Sequence, residues 1–582
     1  MTTARTLTIL TCVAASAMLG SSAEAKKKKK PEPAAAPATE APATEEAGSI
    51  APGSAPDKSP DSAASSGSSS ETSSAADRSE KSEKAEKAEK AWEAAGDEPA
   101  HVEKTTKPAL KMEAPPPAEA PPPPPPPVVV ASATSLRKAS GNADSPEGVT
   151  WKASGWDVTL YGYAGVNIMQ DSTQSFGTAS SNTIIQHLGT PRGNNLQAQA
   201  TARDSRIGLR LAPPQLGSVR ASVNIETDFN APPPIEYTEA NSVTNAGLRM
   251  RHYYMKVETP VVDFIAGQYH DLFGWGGKGF YPSTLAFLGI TGEIYHRKPQ
   301  VRLSKTVGSD VELEVAVAAL APVQKSGGYP DVEAGIRLGV NKWTGARQQA
   351  YGQPGIGALG IGVSGIGRHF EVANFIENPS TTVPGTGWGV AGNVFIPVIP
   401  ATSAKDRGNA LSLTGEYSIG TGISDMYSDL TGGLLFPALG NPMDRMDPTN
   451  PPPVYTPNID SGIVTFDGDR RLRTANWQGF VANLQYYLPI AGGKVWIAAT
   501  HSEIKSTNIQ SITPMAGWGG IYTHSWYNDG TLFVAITDQI QVGVAFQRTH
   551  QWLGPEFNPA TGLLRSVPAT NYRSELGMHM FF

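Results

Sequence analysis

The sequence predicts an all-β fold: an antiparallel transmembrane β-barrel of about 16 strands, preceded by a long disordered Pro/Ala/Ser/Lys-rich N-terminal arm. Three observations lead there. From Trp151 onward, apolar residues alternate with polar or small ones. The connections between these segments are short and long by turns. The last strand, ending RSELGMHMFF, keeps its apolar parity to Phe582.

The front of the chain is separate from this pattern. MTTARTLTILTCVAASAMLGSSAEA has a basic residue at Arg5, a short apolar run from Leu7 to Leu19, and the Ala23-Glu24-Ala25 cleavage pattern. Residues 1–25 therefore read as a secretory signal peptide. The single cysteine, Cys12, lies inside it, so the mature chain is expected to form no disulfide and no cysteine metal site.

Residues 26–149 read as a disordered periplasmic arm. They are nearly free of aliphatic and aromatic residues and cannot bury enough apolar surface to offset the entropy of ordering. Pro121 to Pro127 predicts a stiff polyproline II rod. A short helix is possible over 78–95, where Glu80, Glu83 and Glu86 each precede a lysine by four. Its Ser/Ala seam lacks coiled-coil knobs, so a solvated helix and an oligomerisation element both stay open. The run Lys26 to Lys30 is a solvated charge run or a contact to anionic lipid or peptidoglycan.

The barrel domain is expected over 150–582. In QIQVGVAFQ, Ile540, Val542, Val544 and Phe546 share one face; in DVELEVAV, Val311, Leu313, Val315 and Val317 oppose Glu312 and Glu314. Such segments start near 157, 197, 218, 247, 261, 299, 309, 330, 357, 386, 407, 473, 493, 524, 539 and 571. Short turns such as ETPV, TVGSD and LPIAGG alternate with long loops near 231–245, 269–298, 420–470 and 551–569. That asymmetry fits periplasmic turns and extracellular loops in the outer membrane of a Gram-negative bacterium. The second face carries Arg, Glu, Gln, Asn, Thr and Gly, which suits a water-filled lumen better than a sandwich core. Tyr572, Met578, Met580 and Phe582 lie on the lipid parity of the last strand and resemble the terminal signal read by barrel-assembly machinery.

Charge placement within the lumen is the next clue. The barrel segment is nearly balanced, about 30 basic against 32 acidic residues, so local placement must set selectivity. Alternation turns Arg206, Arg210, Arg220, Arg249, Arg251 and Arg302 inward. They form either a basic ladder that favours anions or a wall stiffened by pairing with Asp204, Glu226, Glu312 and Glu314. Met255 and Val257 share the parity of Arg249 and Arg251, which requires a bulge or a strand end. The long segment 269–299 carries Asp271, Lys278, Glu293, Arg297 and Lys298; folded inward, it would narrow the pore opposite the arginines.

At these residues the chain resembles DcaP-like trimeric porins. The resemblance lies in LRMRHYYMKV, FIAGQYHDLFG and GITGEIYHRKPQVR, with Gly267, Gln268, Gly289, Gly292, Arg297, Pro299, Gln300 and Arg302 matching the family pattern. It implies a homotrimer of sixteen-stranded diffusion channels passing small anionic solutes, dicarboxylates among them. It also implies constriction arginines, here Arg206, Arg210, Arg249, Arg251 and Arg302. The acidic 420–470 loop, with Asp425, Asp429, Asp444, Asp447 and Asp460, pulls the other way, toward cations.

The alternative is a structural barrel tethered to peptidoglycan through the arm. No cofactor, metal site or nucleic-acid partner is expected, and no enzyme. The pairs His501-Ser502 and His524-Ser525 put neighbouring residues on opposite faces of a strand, where they cannot act together.

Overall fold

The computed structural model describes residues 148–582 except 181, 232–246, 287–288, 325–327, 350–351, 375–377, 435–459, 559–562 and 566. The signal peptide, the arm with its possible 78–95 helix, Asp444 and Asp447 lie outside the described residues.

Sixteen strands form one closed antiparallel barrel. In chain order they begin with β1 (Trp156–Asp171), β2 (Arg206–Ala212), β3 (Arg220–Ala231), β4 (Gly247–Glu258), β5 (Asp263–His270) and β6 (Arg297–Val307). β7 (Val311–Leu320), β8 (Asp331–Arg347), β9 (Gly355–Asn374), β10 (Asn378–Ile399) and β11 (Leu411–Thr421) follow. β12 (Asn476–Tyr487), β13 (Val495–Lys505), β14 (Tyr522–Ala535), β15 (Ile540–Leu553) and β16 (Pro568–Phe581) complete the wall. Each strand pairs with its neighbours in sequence, and β16 returns to β1 from Tyr163↔Phe581 to Asp171↔Arg573. Closure leaves no sheet edge unpaired, as a lipid-exposed sheet requires.

The seam is finished by two short pieces. Gln197–Thr201 pairs with the upper part of β1, and β2 pairs with its lower part. Below the end of β16, where Gly162 and Phe582 exchange backbone hydrogen bonds of 3.0 Å, the segment Val149–Ala153 pairs with Leu160–Trp156. The last residue is thus stitched into the first strand.

Alternation is carried through the wall. On β16, Leu576, Met578 and Met580 are exposed, while Arg573, Glu575 and His579 are buried inside. On β7, Val311, Leu313, Val315 and Val317 face out, and Glu314 faces in. The parity conflict on β4 is resolved by a bulge: Glu226 pairs with His252 and Thr227 with Met250, so Arg251 and His252 are both buried and Met255 returns to the outer face.

The lumen differs from the expectation of a uniformly aqueous channel. Phe176, Ile185, Phe273, Ile294, Met426, Leu430, Trp477, Ile509 and Tyr522 join one buried apolar cluster, fed by segments between the strands as well as by inward wall residues. A second cluster stacks Tyr487, Trp496 and Phe533 with ring centroids 5.6 and 5.0 Å apart, and Leu285 packs against it. Part of the barrel interior is therefore a packed core.

Candidate pore and its constriction

The segment between β5 and β6, residues 271–296, folds into the lumen and is fastened to the wall. The Leu272 and Phe273 amides donate to Glu333 Oε2 at 2.6 and 3.0 Å. The Gly274 amide donates to Ser364 Oγ, and the Ser283 amide to Asn483 Oδ1 at 3.0 Å. Thr284 donates to Asp529, and the Ile294 amide to Glu416 Oε1 at 2.7 Å. Wall carboxylates thus satisfy the backbone donors of a buried irregular segment. Gly292 approaches the wall backbone closely: its φ is 77°, and a Cβ there would lie 2.0 Å from the Glu503 carbonyl oxygen. The segment packs on β8–β14, and the remaining open space is bordered by residues of β1–β10.

That space includes two cavities. One, of about 360 Å³, is lined by Tyr161, Arg206, Glu226, Arg251 and Tyr254 on the wall and by Tyr281, Glu293 and Tyr295 on the inserted segment. The other, of about 540 Å³, reaches the short-turn residues Gln215, Ser218, Thr259 and Pro260. Tyr269 and Arg347 line both.

The predicted arginines divide by partner. Arg251, 2% exposed, bonds Glu226 at 2.6 Å and Asp228 at 2.8 Å. Glu226 also holds Arg206 at 3.4 Å, and Asp228 receives Arg249 Nε at 2.9 Å. Arg220 pairs with Glu258 at 3.2 Å on the exposed rim. Arg210 sits opposite Asn224 on the lumen parity. The pairing alternative is thus realised for four of these arginines, with Glu226, Asp228 and Glu258 as the acids.

Arg302 is different. It donates to Gln300 Oε1 at 2.9 Å and to the His270 carbonyl, lies 5.2 Å over the Tyr269 ring, and has no carboxylate within 4.0 Å among the described residues. Arg297 is similar, bonding the Tyr295 hydroxyl at 2.7 Å and lying 4.7 Å over its ring. On the inserted segment, Asp271 is buried against His296 Nδ1 at 2.8 Å, Lys278 pairs with Glu314 at 3.1 Å, and Glu293 accepts the Ile290 amide.

Sequence reasoning missed Arg347. The β8–β9 ladder slips between Val340 and Thr344, so alternation cannot be carried along β8 to its end. The guanidinium lies 5.5 Å over the Phe395 ring, with no carboxylate within 4.0 Å among the described residues. Its room is made by missing side chains: a Cβ at Gly279 would lie 1.7 Å from it, and one at Gly357 3.1 Å. The larger cavity collects seven basic side chains, Arg220, Lys256, Lys278, Arg302, Lys305, Arg337 and Arg347, against the four acids Glu258, Asp263, Glu312 and Glu314.

One acid of the 420–470 loop is not where the sequence suggests. Asp425 turns inward and meets Arg368 and, at 3.1 Å, Lys298, which also bind Asp331. Burial alone would raise this carboxyl, but Arg368 and then Lys298 hold it far below the usual carboxylate range. Asp425 is a structural ion, not a free charge at the mouth. The two His-Ser pairs straddle the wall as expected: Ser502 and Ser525 are buried on the lumen side, and His501 and His524 lie on the outer side.

No protein-family model matches the sequence, and no curated protein matches it. Solved structures do. The outer membrane channel DcaP of Acinetobacter baumannii shares 15% identity over 74% of this chain and 99% of its own, with a TM-score of 0.49. An anion-selective porin from Comamonas acidovorans shares 8% over 73% of this chain and 100% of its own, at 0.41. OmpF of Salmonella typhi shares 10% over 74% and 100%, at 0.39. The DcaP-like resemblance read in the sequence recurs among these structures.

Proposed function

We propose that this chain is an outer-membrane porin, a homotrimeric diffusion channel favouring small anionic solutes, with dicarboxylates the expected class. The observation that carries the reading is the pair Arg302 and Arg347. Arg347 lines both lumenal cavities, Arg302 lines the larger one over the ring of Tyr269, which also lines both, and neither arginine has a carboxylate partner among the described residues. A permanently charged guanidinium whose edge donors are not taken by an acid is suited to a passing carboxylate. Arg206, Arg249 and Arg251, matched by Glu226 and Asp228, shape the wall more than they charge it.

The test is the reversal potential of the purified protein in a planar bilayer under a KCl gradient. Steady conductance with anion preference is expected. Cation preference would overturn the anionic reading, and a folded protein without conductance would overturn the channel itself in favour of a structural barrel.

A further inference from the structure

The outer face of β13–β16 changes character along its height. Its apolar rows, set by cross-strand register, end with Leu532, Val544 and Leu576, apart from Phe546 one row higher. Next comes the row Asn528, Arg548 and Tyr572, and beyond it lie Trp526 and His550. Tyr572 stands ten residues before Phe582 on the same face. In a strand tilted about 40° that is a climb of about 25 Å, the height of a barrel's apolar band. Arg548 therefore lies at the headgroup level of the leaflet on the long-loop side.

A cation on the lipid face is costly deep in a bilayer and needs an explanation even near its edge. Arg548 has one half of an answer in the fold. Its guanidinium lies 4.7 Å over the Trp526 ring and 5.6 Å over the Tyr572 ring. The other half is missing: Nε is buried without a hydrogen-bond partner, and no carboxylate lies within 4.0 Å among the described residues. The acid on this face, Glu503, is engaged by His501 at 3.2 Å and His524 at 3.4 Å. Lys505, an exposed cation on β13, is two strands away and level with Trp552, nearer the long loops. Rings cover the faces of the guanidinium and leave its edge, where the donors point, without an acid.

We infer that this patch binds the phosphate of an outer-leaflet lipid. Charge complementarity favours that occupant: the site offers a forked cationic donor at headgroup height, and phosphate geometry matches a guanidinium edge. The flanking Trp526 and Tyr572 rings are of the type that anchors at a membrane interface.

The inference rests on the outer-membrane reading, so the test measures lipid binding and conductance separately. The full-length protein in detergent is titrated with diphosphorylated lipid A and with the same lipid stripped of phosphate, following tryptophan emission. Wild type is expected to bind the phosphorylated form at least about tenfold more tightly, and Arg548→Ala to lose about that factor, with Arg548→Lys intermediate. Channel conductance should be unchanged in both variants, because Arg548 faces away from the lumen. Equal binding of the two lipids by wild type would overturn the inference, and so would wild-type binding by Arg548→Ala. A change in oligomer size in that variant with lipid binding unaltered would assign the patch to a second copy instead. If Arg548→Ala fails to assemble, the two-lipid comparison on wild type still decides.

Discussion

Arg251 and Arg302 are both buried lumenal arginines, yet their removal is expected to produce opposite phenotypes. Arg251→Ala takes one cation from a cluster of three arginines and two carboxylates. Glu226 keeps Arg206 and Asp228 keeps Arg249, so neither acid is left wholly unpaired. The cost should fall at the lower end for breaking a buried ion pair, about 3 kcal/mol. Arg302→Ala strands no acid. It loses one hydrogen bond to Gln300, another to the His270 carbonyl and the contact with Tyr269, and the space its side chain vacates lines a cavity that water can reach.

Its effect should appear in permeation. One charge about 4 Å from a passing ion in water contributes about 1 kcal/mol, attractive for an anion and repulsive for a cation, hence about a thirtyfold change in the anion-to-cation permeability ratio. The assays are denaturant unfolding of each barrel followed by tryptophan emission, and reversal potentials of both. Wild-type stability in Arg251→Ala, or wild-type selectivity in Arg302→Ala, would refute the division of these arginines into paired and conducting ones.

Two further outcomes follow from the inserted segment and the Asp425 loop. Gly292→Val places a side chain against the Glu503 carbonyl at a φ of 77° and should pull the end of the inserted segment off the wall; single-channel recordings should show larger, noisier openings, and unchanged openings would contradict that anchor. For Asp425 the sign follows from its depressed pKa. Its stabilisation is fully present above the ordinary carboxylate value, about 3.9, and is lost only as pH falls through the lower folded value. Amide exchange in residues 422–434 should therefore stay slow from pH 7 to about pH 4, while Asp425→Asn should already exchange faster at pH 7; equal rates in the two proteins would remove the ion cluster from loop docking.

Much of the wall was legible because a membrane barrel imposes one rule on every strand: lipid on one face, lumen on the other. Expected starts near 247, 330, 357 and 539 meet Gly247, Asp331, Gly355 and Ile540. The misses occur where another force acts on the chain. β10 begins at Asn378, not near 386, because its ladder with β9 runs on through Ala373↔Thr382. The second strand, expected from 197, is broken before Arg206, where Asp204 turns inward to accept a 2.6 Å bond from Asn167. Arg347 was hidden by the β8 slip. The apolar core of the lumen was hidden for a different reason: Phe273, Ile294, Met426 and Leu430 lie between strands, and apolar residues without a period carry no directional signal.

That core changes how selectivity must be argued. If the whole lumen were wet, every inward charge would act on a passing ion, and the near balance of acids and bases would predict a channel with little preference. Instead the inserted segment and the Asp425 loop dry one part of the interior, and within it Lys298, Arg368, Asp331 and Asp425 neutralise one another. Charges buried in such clusters set position and rigidity, and their field outside the cluster largely cancels. What remains to act on a solute is the small set of groups that border the open cavities and lack an opposite partner. The larger cavity holds seven bases against four acids; Arg302 and Arg347 line it, and Arg347 also lines the smaller one. A chain with a net charge of −6 can therefore present a locally basic passage, because folding removes its paired charges from the solute's path.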